Sequence, residues 1–384
     1  MVKVLTIIDS LDGGTAQLVS TLANVAPSEQ LELEVISLQP ASGKSDTIVR
    51  RLKELGITPG FLDILRLSDV RSVQRVADAI RRSPCNVVHA HRSFSSTLVP
   101  VAARLAERPS VCTLYGLPQQ GSGRDALKER LCVASASRSR ALIFVSEAAH
   151  RQFAARYRRR SSWRVLRTGI DVDTWSPGPG RLPRRLRIPV GAPVVSISGP
   201  LQATKGHALA IAAWNSVLLR VPEARLLIVG DGPERGTLRR QIHRAGLHHR
   251  VVFAGRIDDE RKRVDIVRAS DISLLPSYGE ALPMALVEAS ACARPVVASD
   301  VGGVREVVSD DVTGTLIPSG DIAAIAHAVI DLLEDPVRRA RMGQAGRIAA
   351  EERFGMHTWA RGLARIYIEA TAGQHASALG PSSP

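Results

Sequence analysis

Two carboxylates stand eight residues apart in Pro276-Ser-Tyr-Gly-Glu-Ala-Leu-Pro-Met-Ala-Leu-Val-Glu288. The run before them, Asp271–Leu275, reads as a short buried strand. Leu282–Cys292 has helical composition, with Pro283 in the first turn, where its missing N–H costs nothing. Glu280 then falls on a loop at the carboxyl end of a strand, and Glu288 about two turns into the next helix. The free N–H groups of that helix start, those of Leu282 and Met284 among them, suit an anion such as a diphosphate. Open α/β sheets bind ligands at that edge. One carboxylate beside the anion and one set further back could grip the hydroxyls of a nucleotide sugar. Two surface glutamates flanking a helix cap are the alternative that spacing alone leaves open.

Other groups fall at comparable places. Ser198-Gly199-Pro200-Leu201 leads to Lys205-Gly206-His207 after a strand. Lys205 is a point charge suited to a diphosphate, with Gly206 starting the helix behind it; a solvent-facing lysine is the alternative. Gly13-Gly14-Thr15 follows the first strand and precedes a helix beginning near Ala16, so backbone could approach a ligand closely. On the residues alone a plain turn with a Thr cap is the better explanation. His89-Ala-His91 ends one strand, and Thr113-Leu-Tyr115-Gly116 ends another. His91 and Tyr115 can each hydrogen-bond a hydroxyl, but a tyrosine is a poor general base at neutral pH. Gly230-Asp-Gly-Pro233 reads as a structural turn, and Gly255-Arg256 follows a further strand.

The elements that must hold these residues alternate between apolar strands and amphipathic helices, the pattern of parallel sheets covered on both faces. Candidate strands in the first half are Val2–Ile8, Leu33–Ser37, Asn86–His91, Val111–Leu114, Ala141–Val145 and Arg164–Arg167. A second series runs Val194–Ser198, Ala224–Val229, Val251–Ala254, Asp271–Leu275, Pro295–Ser299 and Gly314–Ile317. Between Ser68 and Arg82, Val70, Val73, Ala77 and Ile80 share one helical face, opposite Arg71, Arg75, Asp78 and Arg82. Ile322–Leu333 and Val337–Glu352 read as helices. Ser176-Pro-Gly-Pro-Gly-Arg-Leu-Pro breaks the alternation and reads as an interdomain linker.

At 384 residues the chain is long enough for two domains, each with its own core. No run of 18 apolar residues predicts a membrane span, and the opening Met-Val-Lys-Val-Leu-Thr-Ile-Ile reads as a buried strand, not a signal peptide. Four scattered cysteines without C-x-x-C spacing read as buried thiols of a reducing cytosol, and no cluster of metal ligands stands out. The formal net charge of +14 attracts anionic partners, and it leans forward: residues 1–180 hold 25 basic against 16 acidic residues, an excess of nine. The densest basic cluster is Arg156-Tyr-Arg-Arg-Arg160 with Trp163-Arg164. Aromatic interleaving is thin and no nucleic-acid module is visible, so no nucleic-acid partner is expected. An anionic membrane surface is the partner that a basic first half suits better.

The Glu280–Glu288 segment, followed by Ala293-Arg-Pro-Val-Val297 and Gly302-Gly303, resembles the E-x7-E signature of the retaining glycosyltransferases of family 4. The likeness extends over almost the whole chain. It implies an α/β chain of the GT-B fold, with two Rossmann-like domains whose parallel sheets face an interdomain cleft. On that pattern residues 1–176 form an acceptor-binding domain, 177–190 a linker and 191–355 a donor-binding domain. A final helix, 356–371, crosses back to the first domain, and a disordered tail covers 372–384. The resemblance also implies the activity: transfer of a sugar from a UDP- or GDP-sugar to a hydroxyl of a lipid-linked, glycan or small-molecule acceptor, with retention of configuration. Neither a metal nor another cofactor is expected, and the implied location is the cytoplasm, at a membrane face.

By similarity Glu280 contacts the transferred sugar and Glu288 the donor ribose. Lys205, Gly199, Leu282, Pro283 and Met284 surround the diphosphate, with Gly13 and Gly14 facing it across the cleft. Backbone at Arg256 holds the base, and His91 and Tyr115 lie on the side of the transferred sugar. Two positions depart from the family pattern. Pro200 stands where an arginine usually clamps phosphate, and Tyr115 where a histidine is usual. Both departures also fit a protein that binds nucleotide sugars without turning them over.

Overall fold

The computed structural model describes residues 1–41, 46–65, 71–118 and 123–378. The chain falls into two compact units, one of Met1–Gly169 with Met356–Pro384 and one of Ile170–Gly355.

In the first unit, strands and helices alternate as β1 (Val2–Ile8), α1 (Gly13–Val25), β2 (Leu31–Ser37), α2 (Asp46–Glu54), β3 (Gly60–Phe61), α3 (Arg71–Arg82), β4 (Val87–His91) and α4 (Ser93–Leu105). Then follow β5 (Ser110–Leu114), α5 (Arg124–Ala136), β6 (Ala141–Phe144), α6 (Glu147–Arg156) and β7 (Trp163–Val165). The strands pair in parallel in the order β3-β2-β1-β4-β5-β6-β7. The order reverses between β1 and β4, so the loops leaving those two strands diverge to opposite faces and open a crevice. Buried apolar residues of α1 and α2 cover one face of this sheet, and α3, α4 and α5 pack side by side on the other. α3 buries Ala77 and Ile80 and exposes Arg71, Arg75 and Arg82, as its periodicity predicts, but Val73 and Asp78 are both half-buried and Val76 takes the inward place; Val70 lies outside the described residues.

The second unit repeats the plan with β8 (Val194–Ser198), α7 (His207–Arg220), β9 (Arg225–Val229), α8 (Arg235–Arg244), β10 (Val251–Gly255), α9 (Glu260–Arg268), β11 (Ile272–Leu275) and α10 (Met284–Ala291). It ends with β12 (Val296–Ser299), β13 (Gly314–Ile317), α11 (Ile322–Glu334) and α12 (Pro336–Phe354). Its parallel sheet has the order β10-β9-β8-β11-β12-β13, with the reversal between β8 and β11. The expected α/β class, two Rossmann-like parallel sheets, is therefore what the chain forms.

Three boundaries differ from expectation. Residues 177–190 do not form a free linker: Leu182, Leu186 and Ile188, spaced between the prolines, pack against Val194, Leu227 and Ile266 of the second unit. Gly180 approaches α9 so closely that a Cβ there would lie 2.1 Å from the Ala269 nitrogen. The last helix, α13 (Met356–Ala378), belongs to the first unit and buries Trp359, Leu363 and Tyr367 against its core. It runs past residue 371 in spite of Gly373, because no proline interrupts residues 371–378 and alanines recur there, so a disordered tail beginning at 372 is not what forms. Residues 379–384 lie outside the described residues. At α10 the helix begins at Met284, with Pro283 as its N-cap at ψ 86°. A residue that precedes proline is held out of helical geometry, which keeps Leu282 outside the helix and puts Glu288 one turn in, not two.

Candidate active site

The second unit gathers its chemistry at the β8/β11 reversal. Because β8 and β11 are adjacent and parallel, the loops leaving their carboxyl ends emerge side by side. Backbone joins them: Tyr278 N–H donates to Thr204 C=O at 2.8 Å. Gly206, at φ +68°, lies so close to Pro276 that a Cβ would come within 1.9 Å of its carbonyl oxygen. Two side chains 75 residues apart in sequence therefore meet: Lys205 Nζ donates to Glu280 Oε1 at 2.6 Å. Ser277 Oγ donates to the same oxygen at 2.7 Å. Glu280 is 6% exposed, so this carboxylate is held by a cation and a hydroxyl in a largely water-free setting.

The backbone of Glu280 is fixed as firmly as its side chain. Its carbonyl accepts from Gly303 N–H at 2.9 Å, and Gly302, at φ +53°, comes so near that a Cβ would sit 2.0 Å from that oxygen. Only glycine fits there, which gives Gly302 a physical reason. Glu288, on α10, has Arg263 at 4.0 Å and is only 19% exposed at its side chain. Burial raises its carboxyl to about 7; Arg263 opposes that shift and Glu260 reinforces it. Arg263 in turn lies over the ring of Trp175, 5.5 Å from its centroid.

Gly199 stands at the end of β8, where Gly230 packs so closely that a Cβ would lie 1.9 Å from the Gly199 oxygen. The turn Gly230–Pro233 thereby braces the loop that carries Pro200, and Leu201 N–H donates to Asp231 C=O at 3.0 Å. Pro200 itself is exposed. The Arg256 side chain turns to Asp258, with Nε 2.6 Å from Oδ1, and reaches neither carboxylate of the site.

The first unit places a different set at its own reversal. Gly13, at φ +77°, opens α1 after β1. Asp9, at the end of β1, accepts the N–H groups of Ser95 at 2.7 Å and Phe94 at 3.3 Å, and so occupies the start of α4. At the end of β4, His91 Nδ1 lies 2.6 Å from Tyr115 Oη. The neighbouring His89 bridges Tyr367 Oη at 2.6 Å and Thr113 Oγ1 at 2.8 Å. Burial lowers His91 to about 3 and His89 well below its usual value, and raises the Tyr115 phenol, so all three are neutral at physiological pH. His91 Nε2 has no hydrogen-bond partner. Next to it Arg92 adopts φ +82°, a strained conformation for a residue with a side chain.

Sequence reasoning therefore named the residues at both reversals but missed several partners. Ser277 lies inside the quoted segment, three residues before Glu280, a spacing that could have flagged it. Nothing in the sequence marks Arg263, Trp175 or the strain at Arg92. The four cysteines are buried and free. Among the described residues no group of three or more His, Cys, Asp or Glu is placed to hold a metal ion, and no helix is long and apolar enough to cross a membrane.

Comparison with known proteins adds an independent line. Residues 181–349 match the family described as Glycosyl transferases group 1, and residues 12–174 match Glycosyltransferase Family 4. A D-inositol 3-phosphate glycosyltransferase of Xylanimonas cellulosilytica is 36% identical over 219 residues, 54% of this chain and 51% of that one. The match thus spans about half the length of that relative. Another protein of the same description, from Acidothermus cellulolyticus, is 31% identical over 317 residues, 76% of this chain and 69% of that one. Among solved structures, Anabaena HepE in complex with UDP and glucose superposes with a TM-score of 0.81 at 22% identity, covering 95% of this chain and 99% of that one, a likeness of fold. With the GT-B fold, both family matches and a relative of this identity along most of its length, the chain belongs to the group 1, family 4 glycosyltransferases.

Proposed function

We propose that the protein transfers a sugar from a nucleoside-diphosphate sugar, UDP- or GDP-linked, to an acceptor hydroxyl with retention of configuration. The observation that carries this reading is the Lys205–Glu280–Ser277 cluster at the β8/β11 reversal, with Glu288 one turn into α10. Lys205 and the N–H groups at the start of α10, around Leu282, Pro283 and Met284, neutralise the diphosphate, so charge developing on the leaving group meets fixed positive ends. Glu280, oriented by Ser277 and Lys205, receives hydroxyls of the transferred sugar. Glu288 receives the ribose hydroxyls. Gly199 and the backbone at Arg256 border the nucleotide. The reading needs no metal, because the lysine and the helix start carry the positive charge.

In the first unit the His91–Tyr115 pair offers a neutral hydrogen-bonding group to a substrate hydroxyl. Gly13 and Gly14 leave space: a Cβ at either meets no atom within 4 Å. Gly14 has no positive φ either, so packing does not demand glycine there and close approach of a ligand would. Lipid-linked, glycan and small-molecule acceptors all fit these features. A cytoplasmic location belongs to the same reading.

A second reading, binding of nucleotide sugar without transfer, draws on Pro200 and Tyr115. Calorimetric titration with UDP, GDP, ADP and dTDP, followed by assays of donor turnover, separates the two. Binding of one nucleotide that Lys205→Ala and Glu288→Ala both weaken, together with donor consumption, supports the enzyme. Binding with no turnover by any acceptor supports the second reading, and no binding at all sinks both.

A further inference from the structure

Among the described residues one cation pairs with Glu288: Arg263 of α9, whose Nη1 lies 4.0 Å from Oε1. Its Nη2 lies 4.0 Å from Glu260 Oε1, so one guanidinium is shared between two carboxylates. Glu260 has a donor of its own, the Trp175 indole N–H at 3.3 Å. The guanidinium stacks over that same indole. Among the described residues it makes no hydrogen bond, and its Nε is buried without a partner. An arginine that serves packing alone normally satisfies its planar fork; this one is held by a ring face and by charge.

The ring beneath it is itself fixed. Trp175 is buried, and its carbonyl accepts from Arg347 Nη1 of α12 at 2.8 Å. The same nitrogen donates to Val172 C=O and to Ala291 C=O at the end of α10. Arg268, at the end of α9, donates from Nε to Ser176 C=O at 2.6 Å. Residues 172–176 are thereby tied to α9, α10 and α12, and offer Arg263 a rigid face. The remaining charge around Glu288 is committed elsewhere. Arg347 is turned to those carbonyls and paired with Glu351 at 2.5 Å. Cys292, one turn further along α10, is a neutral thiol that burial pushes up to about 12. The neighbouring strands β11 (Ile-Ser-Leu-Leu) and β12 (Val-Val-Ala-Ser) carry no ionisable side chain. A charged Glu288 is therefore balanced by Arg263 and opposed by Glu260.

We propose that Arg263 is a positioning residue for the nucleotide: stacked on Trp175, it supplies the fixed counter-charge that holds Glu288 as a carboxylate for the ribose hydroxyls. That role depends on Glu288 being the ribose ligand, as proposed above. It adds α9, and residues 172–176 behind it, to a site otherwise built at the β8/β11 reversal. An opposite charge about 4 Å away favours the ionised carboxyl and resists the cost that burial imposes. At 4.0 Å the guanidinium does this without hydrogen-bonding the carboxylate, whose lone pairs stay open to hydroxyl donors. Glu280 is held differently, with one oxygen accepting from both Lys205 and Ser277.

The test is calorimetric titration with UDP and with GDP at about pH 6, 7 and 9, each variant being compared with wild type at the same pH. Arg263→Met, or Arg263→Gln where the methionine variant does not fold, should weaken binding about tenfold at pH 6 and less than about twofold at pH 9, because the lost charge matters only where Glu288 is not yet ionised. Arg263→Lys keeps the charge and should stay within about threefold of wild type throughout. With Glu288→Gln already present, losing Arg263 should change affinity by less than about twofold. A packing role predicts an equal loss at every pH and the same loss beside Glu288→Gln; either result overturns the proposal. Wild type that binds neither nucleotide removes the donor site and this role with it. Wild type that binds, with Arg263 variants indifferent to pH, removes this role alone.

Discussion

The two units share one strand plan and fill its decisive position with opposite chemistry. At the β8/β11 reversal the side chains are ionic: a lysine held on a buried carboxylate, and a second carboxylate whose charge burial resists. At the β1/β4 reversal Asp9 is taken up by the N–H groups that start α4, and the groups left around Tyr115 are neutral: two imidazoles below their titration range and two phenols above theirs. The fold supplies the place, where loops diverge at strand ends; residue type decides what that place can do. An ionic edge suits a diphosphate and its developing charge, whereas a neutral edge suits hydroxyls that are held without changing protonation.

The largest expected effect tests the ionic edge. Lys205→Ala should lower kcat/KM for transfer about 10²–10³-fold, the loss typical of one preorganised charge-stabilising donor. It also leaves Glu280 buried without its cation, which should cost about 1–3 kcal/mol of stability by denaturant titration. Lys205→Ala combined with Glu280→Gln should regain most of that stability and none of the activity. Recovery of activity in the double variant would show that the pair is structural and that the comparison between the edges misassigns the charge.

Next in size is a gain. Pro200 is exposed, braced from behind by the Gly230–Pro233 turn, and stands where the family usually carries an arginine. Pro200→Arg should add one charge-assisted contact and tighten nucleotide-diphosphate binding about ten- to hundredfold by calorimetry. Unchanged affinity would mean that another cation already fills the role.

Much of this was legible in the sequence, for reasons that also explain what was not. Parallel strands buried on both faces are largely apolar runs, so eleven of the twelve anticipated strands form over most of their expected residues, with Val2–Ile8, Val194–Ser198 and Gly314–Ile317 at the bounds expected, whereas the arginine-flanked Arg164–Arg167 shares only two residues with β7. The two-residue β3 is too short to show any period. The carboxylates and Lys205 could be named from local spacing, but their contact could not, because it depends on β8 lying beside β11. The supposed linker misled because prolines and glycines mark turns whether or not the leucines between them are buried. The strain at Arg92 leaves no trace at all in residue order.

Glu288 gives a smaller effect with a definite sign. Hydroxyl donors on a ribose favour the carboxylate, so binding should lower a pKa that burial has raised to about 7. Nucleotide affinity should therefore rise as pH increases toward 7, level off above it, and be accompanied by proton release in calorimetry across buffers. Glu288→Gln should remove the pH dependence and weaken binding at pH 8 about tenfold. Folding has the opposite sign. A carboxyl raised in the folded state contributes most below the unfolded value of 4.5 and loses that contribution as pH climbs through 7, so Glu288→Gln should be about 1–3 kcal/mol more stable at pH 8. A pH-independent affinity in the wild type would remove Glu288 from the nucleotide.

The neutral edge should respond least, and without a pH signature of its own. Tyr115→Phe removes the partner 2.6 Å from His91 Nδ1 while leaving nucleotide affinity unchanged, and should lower transfer no more than about tenfold. Between pH 5 and 9 neither His91, lowered to about 3, nor the raised Tyr115 phenol titrates in the folded protein, so the ratio of variant to wild-type rate should stay flat. Stability behaves otherwise, because the unfolded chain exposes ordinary imidazoles. His89 and His91 contribute stability that is fully present above about 6.5 and is lost as pH falls toward the folded values, so acid should unfold the first unit through these two residues. His91→Phe should blunt that acid sensitivity. A rate ratio that instead bends near pH 6 to 7 would mean that His91 titrates within reach of substrate, and the first edge would then carry proton transfer as well as hydrogen bonding.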